Sequence, residues 1–300
     1  MTSTADLPDW DALRATWPNA EASRFLTVGA VRWHVQVAGT GPALLLLHGT
    51  GGASHSWGAL LPRLARNHTV IVPDLPGHGF TAALDAPPTI DAMARAVVAL
   101  CGALALRPTA AAGHSAGAAI LLAIARDAAL PLHAIVGFGA ALVPPPAAYR
   151  ELVAPFLAPF VTSSLAARIG AALGAQPALA DLVLSGASDA IAPAQRARYA
   201  ALFAAPAHVR GAFAMMAHWD LAALLDSLAG RALPPVTLVH GTRDAFVPLA
   251  RLRDAAARIP HATLAAWEGA GHLLHEERPE AAEAAIRAVI SDPRPGQHAP

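Results

Sequence analysis

The chain of 300 residues carries 21 basic and 21 acidic side chains and is 55% hydrophobic. That is ample apolar material for a buried core, and the even charge, with no block of one sign, argues against nucleic acid or a strongly anionic surface as partner. The lone cysteine, Cys101, excludes a disulfide framework within the chain.

The first segment, "MTSTADLPDWDALRATWP", is acidic and polar, with neither the basic nor the apolar region of a signal peptide, which leads to the expectation of an uncleaved cytoplasmic protein. From Phe25 to Val37 the residues alternate: Val31, Trp33, Val35 and Val37 share one face, and Arg32, His34 and Gln36 the other. This pattern predicts an antiparallel hairpin turning at Gly29-Ala30 with one polar face. The runs at 43–49, 69–74, 109–115, 134–139, 236–241 and 262–269 are short and continuously apolar. Such strands belong in a parallel sheet covered on both sides. Helical periodicity falls between them, over roughly 56–66, 89–105, 116–128, 249–259 and 276–290. Met93, Val97, Leu100 and Leu104 mark a packed face on the second of these, which makes Cys101 a buried structural thiol. The longest apolar stretch, about 110–125, is interrupted by Gly113, His114, Ser115 and Gly117 and is therefore a poor bilayer span.

Alternating strands and helices predict a doubly wound α/β sheet with an antiparallel N-terminal edge. Between Phe138 and Val236 no clear strand occurs. A structureless loop of that length is improbable, so a helical cap is expected there. The division is then 1–142 and 232–290 for the core, 143–231 for the cap, and 291–300 for a disordered tail. The Pro-rich opening of the cap would suit the hinge of a gate.

The stretch "GHSAG" follows one apolar strand and precedes a helix, the setting in which G-x-S-x-G forms a nucleophile elbow. Gly113 and Gly117 have no Cβ to crowd the sharp turn, which lifts the Ser115 hydroxyl from the carboxyl edge of the sheet. A serine hydroxyl needs a base oriented by a carboxylate, in the chain order Ser, acid, His for this fold. "HGTRDAFVP" puts Asp244 past one strand and "GAGHLLHEERP" puts His272 past the last, both at the edge of Ser115. His275, three residues on, competes as base, but the Gly269–Gly271 loop lets His272 reach inward, whereas His275 is expected to cap or face the next helix. For the oxyanion, the "HGTGG" loop offers the N–H of Thr50, with Gly51 as the substitute, and the residue after the serine offers that of Ala116. His48, Asp74 and His78 read as structural groups shaping turns.

No Gly-Lys-Ser/Thr follows the glycine-rich loop, and no complete G-x-G-x-x-G follows a strand, so nucleotide-binding loops are not expected. His272/His275 and His48/His55 lack a carboxylate cluster to complete a metal site, so neither a metal nor a cofactor is expected. Met215, Met216 and Trp219 of the cap, with Trp57 and Phe246, are candidates to line a large apolar pocket.

Taken in order, "HGTGG", "DLPGHG", "GHSAG", "HGTRD" and "GAGH" resemble the α/β-hydrolase superfamily from about Phe25 to Ile290. The resemblance implies a serine hydrolase of esters or related acyl bonds, since the dehalogenases and epoxide hydrolases of that superfamily carry aspartate where this chain has Ser115. "WPNAEASRFLTVGAVRWHVQVAG", "LLLLHGTGGASHSW", "DLPGHGFT" and "MMAHWDL" resemble more closely the magnesium-chelatase accessory proteins of bacteriochlorophyll biosynthesis. That resemblance implies a photosynthetic pathway and a small-molecule ester substrate, an ester-bearing chlorophyll precursor among the candidates. The alternative is a non-catalytic protein that binds or delivers a tetrapyrrole. The apolar cap invites the question of membrane contact, but no strongly basic amphipathic helix is present to anchor it.

Overall fold

The computed structural model describes residues 6–144, 154–188 and 190–291. Eight strands form one sheet: β1 (Ser23–Val28), β2 (Val31–Ala38), β3 (Ala43–Leu47), β4 (Thr69–Pro73), β5 (Ala110–His114), β6 (Ala134–Phe138), β7 (Val236–Gly241) and β8 (Ala262–Trp267), in the order β1-β2-β4-β3-β5-β6-β7-β8. The hairpin β1–β2 and the pair β2–β4 are antiparallel, and every other pairing is parallel. This is the doubly wound α/β sheet with an antiparallel edge that the alternation of apolar runs predicts.

The central strands show why a continuous apolar run is a strand here. Leu45 and Leu47 of β3 enter the core layer on one face of the sheet, while Leu44 and Leu46 enter the layer on the other, all four fully buried. Period-two alternation with helices over both faces requires apolar residues at every position. Helices Ile90–Ala103 and Ala116–Arg126 pack together on one side. The first is capped by Thr89, whose hydroxyl accepts the Ala92 N–H at 3.2 Å. Cys101 is buried on it, and burial pushes its thiol up to about 12.

Three details depart from expectation. The second face of β2 is not polar toward solvent: His34 and Gln36 are fully buried. Trp10 and Phe80 stack against the His34 ring, and Gln36 donates to the carbonyls of Pro18 at 2.7 Å and Asn19 at 3.0 Å. The N-terminal segment thus covers that face. The strand β8 is an edge strand, so Thr263, Ala265 and Ala266 are exposed rather than enclosed. Lastly, the helix expected over 56–66 is two short turns, Ser54–Trp57 and Leu61–Leu64.

Between β6 and β7 the described residues form six helices: Ala154–Val161, Ser164–Gly174, Pro177–Ala187, Pro193–Phe203, Pro206–His218 and Leu221–Ser227. Three of them start on proline, whose fixed φ and missing N–H suit the first turn. The hinge expected at the Pro-rich opening falls mostly in residues 145–153, and the expected tail in 292–300, both outside the described residues. Among the described residues no single helix is long and apolar enough to cross a membrane.

Candidate active site

From β3 the chain runs to β4 on one side and then crosses back from β4 to β5 on the other, so the strand order reverses beside β3. In an open α/β sheet the crevice at that reversal is where ligands bind. The loop after β3 carries His48–Gly52 and the turn after β5 carries Ser115, so both flank it.

Ser115 has φ 49° and ψ −113°, a conformation that costs a side-chain-bearing residue about 1–3 kcal/mol. The turn survives because its neighbours are glycines. A Cβ on Gly113 would come within 2.6 Å of the Ala118 nitrogen, and one on Gly117 within 2.3 Å of the Leu47 carbonyl oxygen. Three backbone bonds hold the serine: its N–H donates to Phe138 O at 2.8 Å, and its carbonyl accepts from Ala141 N–H at 3.1 Å and Ala118 N–H at 3.2 Å. The residue is 8% exposed.

Asp244 and His272 meet at the same edge. The carboxylate is fully used: Oδ1 accepts the N–H groups of Phe246 and Val247 at 2.8 and 2.9 Å, and Oδ2 accepts His272 Nδ1–H at 2.7 Å. Burial alone would raise this carboxyl's pKa, but the hydrogen bond and charge of His272, with the Val247 N–H, outweigh it and hold the group below its usual range. A carboxylate accepting at Nδ1 keeps the proton on that nitrogen and leaves Nε2 as the acceptor. The backbone of His272 is anchored at both ends: its N–H donates to Ala187 O at 2.7 Å, and its carbonyl accepts His114 Nε2–H at 3.0 Å. Ser115 follows His114 directly, but among the described residues no hydrogen bond joins Ser115 Oγ to the imidazole. Such contacts are commonly long until substrate is bound.

The loop after β3 is held by histidines. Gly49 O accepts His48 Nδ1–H at 2.8 Å and Gly52 N–H at 3.0 Å, while His48 Nε2 accepts Leu75 N–H at 2.8 Å and so fixes the tautomer. Because a trans peptide is planar, tying down the Gly49 carbonyl aims the Thr50 N–H the opposite way. Neither Thr50 N–H nor Ala116 N–H donates to an acceptor among the described residues. Gly51, the substitute donor, sits in the same loop at φ +75°; its carbonyl accepts His208 Nε2–H at 3.1 Å.

Several groups had no sequence motif to announce them. His208, on helix Pro206–His218, also accepts Gly79 N–H at Nδ1 (3.0 Å), and burial brings its pKa down to about 4. Thr50 Oγ1 donates to Met215 Sδ on the same helix at 3.1 Å. Glu276, fully buried beside the His272 loop, accepts Tyr199 O–H at 2.5 Å and Gln195 Nε2–H at 3.1 Å. Burial pushes its carboxyl up to about 8 against the pull of those two donors and of Arg198. The one available signal was a polar residue on an otherwise apolar helical face, which many surface residues share.

His275 does not cap or face the next helix as expected. Its ring is buried between Trp57 and His114, centroids 4.6 and 4.4 Å away, and neither nitrogen is hydrogen-bonded. Burial lowers its pKa to about 3. Two of the pocket candidates pack against the core. Trp57 is fully enclosed in the core, and Trp219 leans on the main core with its Nε1–H donated to Pro88 O at 2.9 Å. Met215 is buried under Thr50, while Met216 and Phe246 are exposed, the latter edge-on to the His272 ring at 5.2 Å. Asp74 accepts from His34, Ser54 and Phe80 and is wholly buried, and His48 and His78 are buried beside it, consistent with turn-shaping roles. Among the described residues no group of three His, Cys, Asp or Glu side chains is arranged to hold a metal ion.

Comparison with known proteins adds the relationship. Residues 44–285 match the model of an alpha/beta hydrolase family. The chain is 40% identical over 277 residues to the magnesium-chelatase 30 kDa subunit of Rhodobacter capsulatus, covering 88% of this chain and 93% of that protein. It is 30% identical over 262 residues to a pimeloyl-[acyl-carrier protein] methyl ester esterase of Aromatoleum aromaticum, covering 83% and 98%. Among solved structures, a malate-bound thermophilic esterase from Thermogutta terrifontis superposes with TM-score 0.71 at 24% identity, covering 90% of this chain and 98% of that one. An enol-lactonase from Burkholderia xenovorans does so with TM-score 0.72 at 20% identity, covering 90% and 100%. At those identities the structural likeness speaks for the fold alone.

Proposed function

Since the chain belongs to the alpha/beta hydrolase family, we propose that it is a serine hydrolase of an ester or related acyl bond, with Ser115 as nucleophile, His272 as base and Asp244 as its orienting acid. Ser115 Oγ attacks the acyl carbon while His272 Nε2 takes the hydroxyl proton. The oxyanion that forms is met by Thr50 N–H and Ala116 N–H. Collapse breaks the bond to the alcohol, which leaves with the proton from His272. Water then gives its proton to His272 and attacks the acyl-enzyme, releasing the acid and restoring the serine. The helical segment between β6 and β7, taken as 143–231, serves as the cap, with 1–142 and 232–290 as the core.

The observation that carries this reading is the buried 2.7 Å bond between Asp244 and His272 at the sheet edge where the strained Ser115 turn also emerges. A carboxyl held below its usual range against burial and hydrogen-bonded to an imidazole is the arrangement a histidine base needs. We read the natural substrate as an ester borne by a tetrapyrrole in bacteriochlorophyll synthesis, a reading supported by the similarity to the Rhodobacter capsulatus magnesium-chelatase 30 kDa subunit. The name of that relative, a chelatase subunit rather than a hydrolase, also favours a second reading, in which the protein binds or delivers a tetrapyrrole without turning it over.

Complementation of a deletion strain separates the two. Under the hydrolase reading, Ser115→Ala and Asp244→Asn both fail to restore pigment synthesis, and loss of the orienting acid lowers ester turnover by about 10⁴-fold. Full restoration by Ser115→Ala overturns the hydrolase reading and supports the binding one.

A further inference from the structure

Helix Pro177–Ala187 is apolar on both sides. Ala180, Leu184 and Ala187 are buried, the last two packed with Ile191, Tyr199 and Leu273. The opposite side carries Leu179, Leu182 and Val183, exposed by 39, 69 and 54%. A helix that meets water normally shows polar residues there. The one charged residue of this helix, Asp181, pairs with Arg196 at 3.7 Å, and no lysine or arginine lies along it to hold an anionic group.

The exposed stripe has a direction. Positions 179, 182, 183 and 186 share a helical face, so it runs to Gly186, against which Phe246 packs: its ring lies 3.7 Å from where a Cβ would stand, an ordinary contact distance. Phe246 in turn is edge-on to the His272 imidazole at 5.2 Å and is 53% exposed. The next residue, Ala187, accepts the His272 N–H. Stripe, aromatic ring and imidazole are therefore continuous, and a backbone hydrogen bond fixes the helix end to the base. The neighbouring helix Ser164–Gly174 also exposes Leu165, Ile169 and Leu173, with Leu165 at the end farther along the chain from Pro177.

We propose that Leu179, Leu182, Val183 and Phe246 form an apolar track that binds an extended hydrocarbon portion of the substrate. This rests on the reading of Ser115 and His272 as the reacting pair, and assigns the site to esters of long or broad apolar groups rather than of small polar acids. Affinity for p-nitrophenyl esters of four- to ten-carbon acids is measured by calorimetry on the Ser115→Ala protein, which cannot turn them over. Full burial of a methylene is worth about fourfold in affinity, and a half-open track about twofold, so tightening of about two- to fourfold per methylene is expected. Val183→Ser and Phe246→Ser flatten the slope, while Leu165→Ser on the neighbouring helix leaves it intact. Because all three positions are exposed, melting temperature verifies that each variant folds. A flat series, or a slope that Leu165→Ser reduces as much as Val183→Ser, overturns the track. Hydrolysis of the same series by the wild type is scored separately: a sloped affinity with no turnover sinks the hydrolase reading and keeps the track, whereas turnover with a flat series does the reverse.

Discussion

Helices Pro193–Phe203 and Pro206–His218 share an alanine-rich composition with helices Ser164–Gly174 and Pro177–Ala187, yet the two pairs meet the protein differently. The first pair is pinned by a few exacting contacts. His208 bridges two loops of the core, Tyr199 and Gln195 hold Glu276, and Thr50 bonds to Met215. Gly211 lies so close to Gly77 that a Cβ would stand 1.9 Å from its carbonyl oxygen. The second pair turns leucines, an isoleucine and a valine outward. The comparison teaches that apolar composition makes a helix, whereas a buried hydrogen bond or a missing side chain decides where it sits. It also divides the roles: the pinned pair supports the loops that carry Thr50 and His272, and of the outward pair helix Pro177–Ala187 carries the proposed apolar track.

The largest expected effect breaks the pinned pair. Gly211→Val forces a side chain into the Gly77 backbone, which cannot rotate away as a side chain would. Overpacking of this kind costs about 1–3 kcal/mol or more, so the melting temperature falls by about 3–10 °C. A change under about 1 °C would show that helix Pro206–His218 is not seated by that contact.

A smaller effect sharpens the comparison through pH. The Glu276 carboxyl is pushed up to about 8 from an ordinary 4.5, so the folded protein keeps a proton that the unfolded chain releases between those values. Its contribution is therefore full below about pH 4.5 and is lost as pH rises through about 8. Glu276→Gln cannot titrate and removes this loss. The difference in urea-unfolding stability, variant minus wild type, increases from pH 5 to pH 8.5; a constant difference contradicts the account. A buried neutral histidine away from this carboxyl, such as His208, acts in the opposite direction, losing stability as pH falls below 6.5, and cancels in the subtraction.

The smallest effect belongs to the outward pair. Leu165 is 62% exposed, and Leu165→Ser is expected to change stability by within about 0.5 kcal/mol. A loss of several times that would mean the residue is covered in solution.

Much of the architecture could be read from residue order because local physics enforces it. "ALLLL" in β3 must be a strand enclosed on both faces, and the turn at Ser115 needs glycine at 113 and 117 whatever packs around it. Asp244 and His272 each follow a strand of one parallel sheet, so they emerge at one edge, and their hydrogen bond follows from that placement. What escaped depends on distant partners. The alternation in β2 gave one polar face, and nothing in the N-terminal segment's pattern says that Trp10 folds against His34 or that the Pro18 and Asn19 carbonyls meet Gln36. The run of β8 does not announce that it is the last strand and lies half open. Trp57 and Trp219 suit a pocket or a core equally well by type, and only packing decides. His208 and Glu276, the polar ties of the pinned helices, sit in surroundings with no motif at all.

The most direct test of the central claim is covalent labelling of the purified protein with a fluorophosphonate, followed by intact mass beside Ser115→Ala and His272→Ala. Activation of Ser115 by the His272–Asp244 pair predicts the addition of one probe at Ser115 within minutes in the wild type and none in either variant. A folded wild type that stays unlabelled, or a His272→Ala protein that labels as fast, would contradict it.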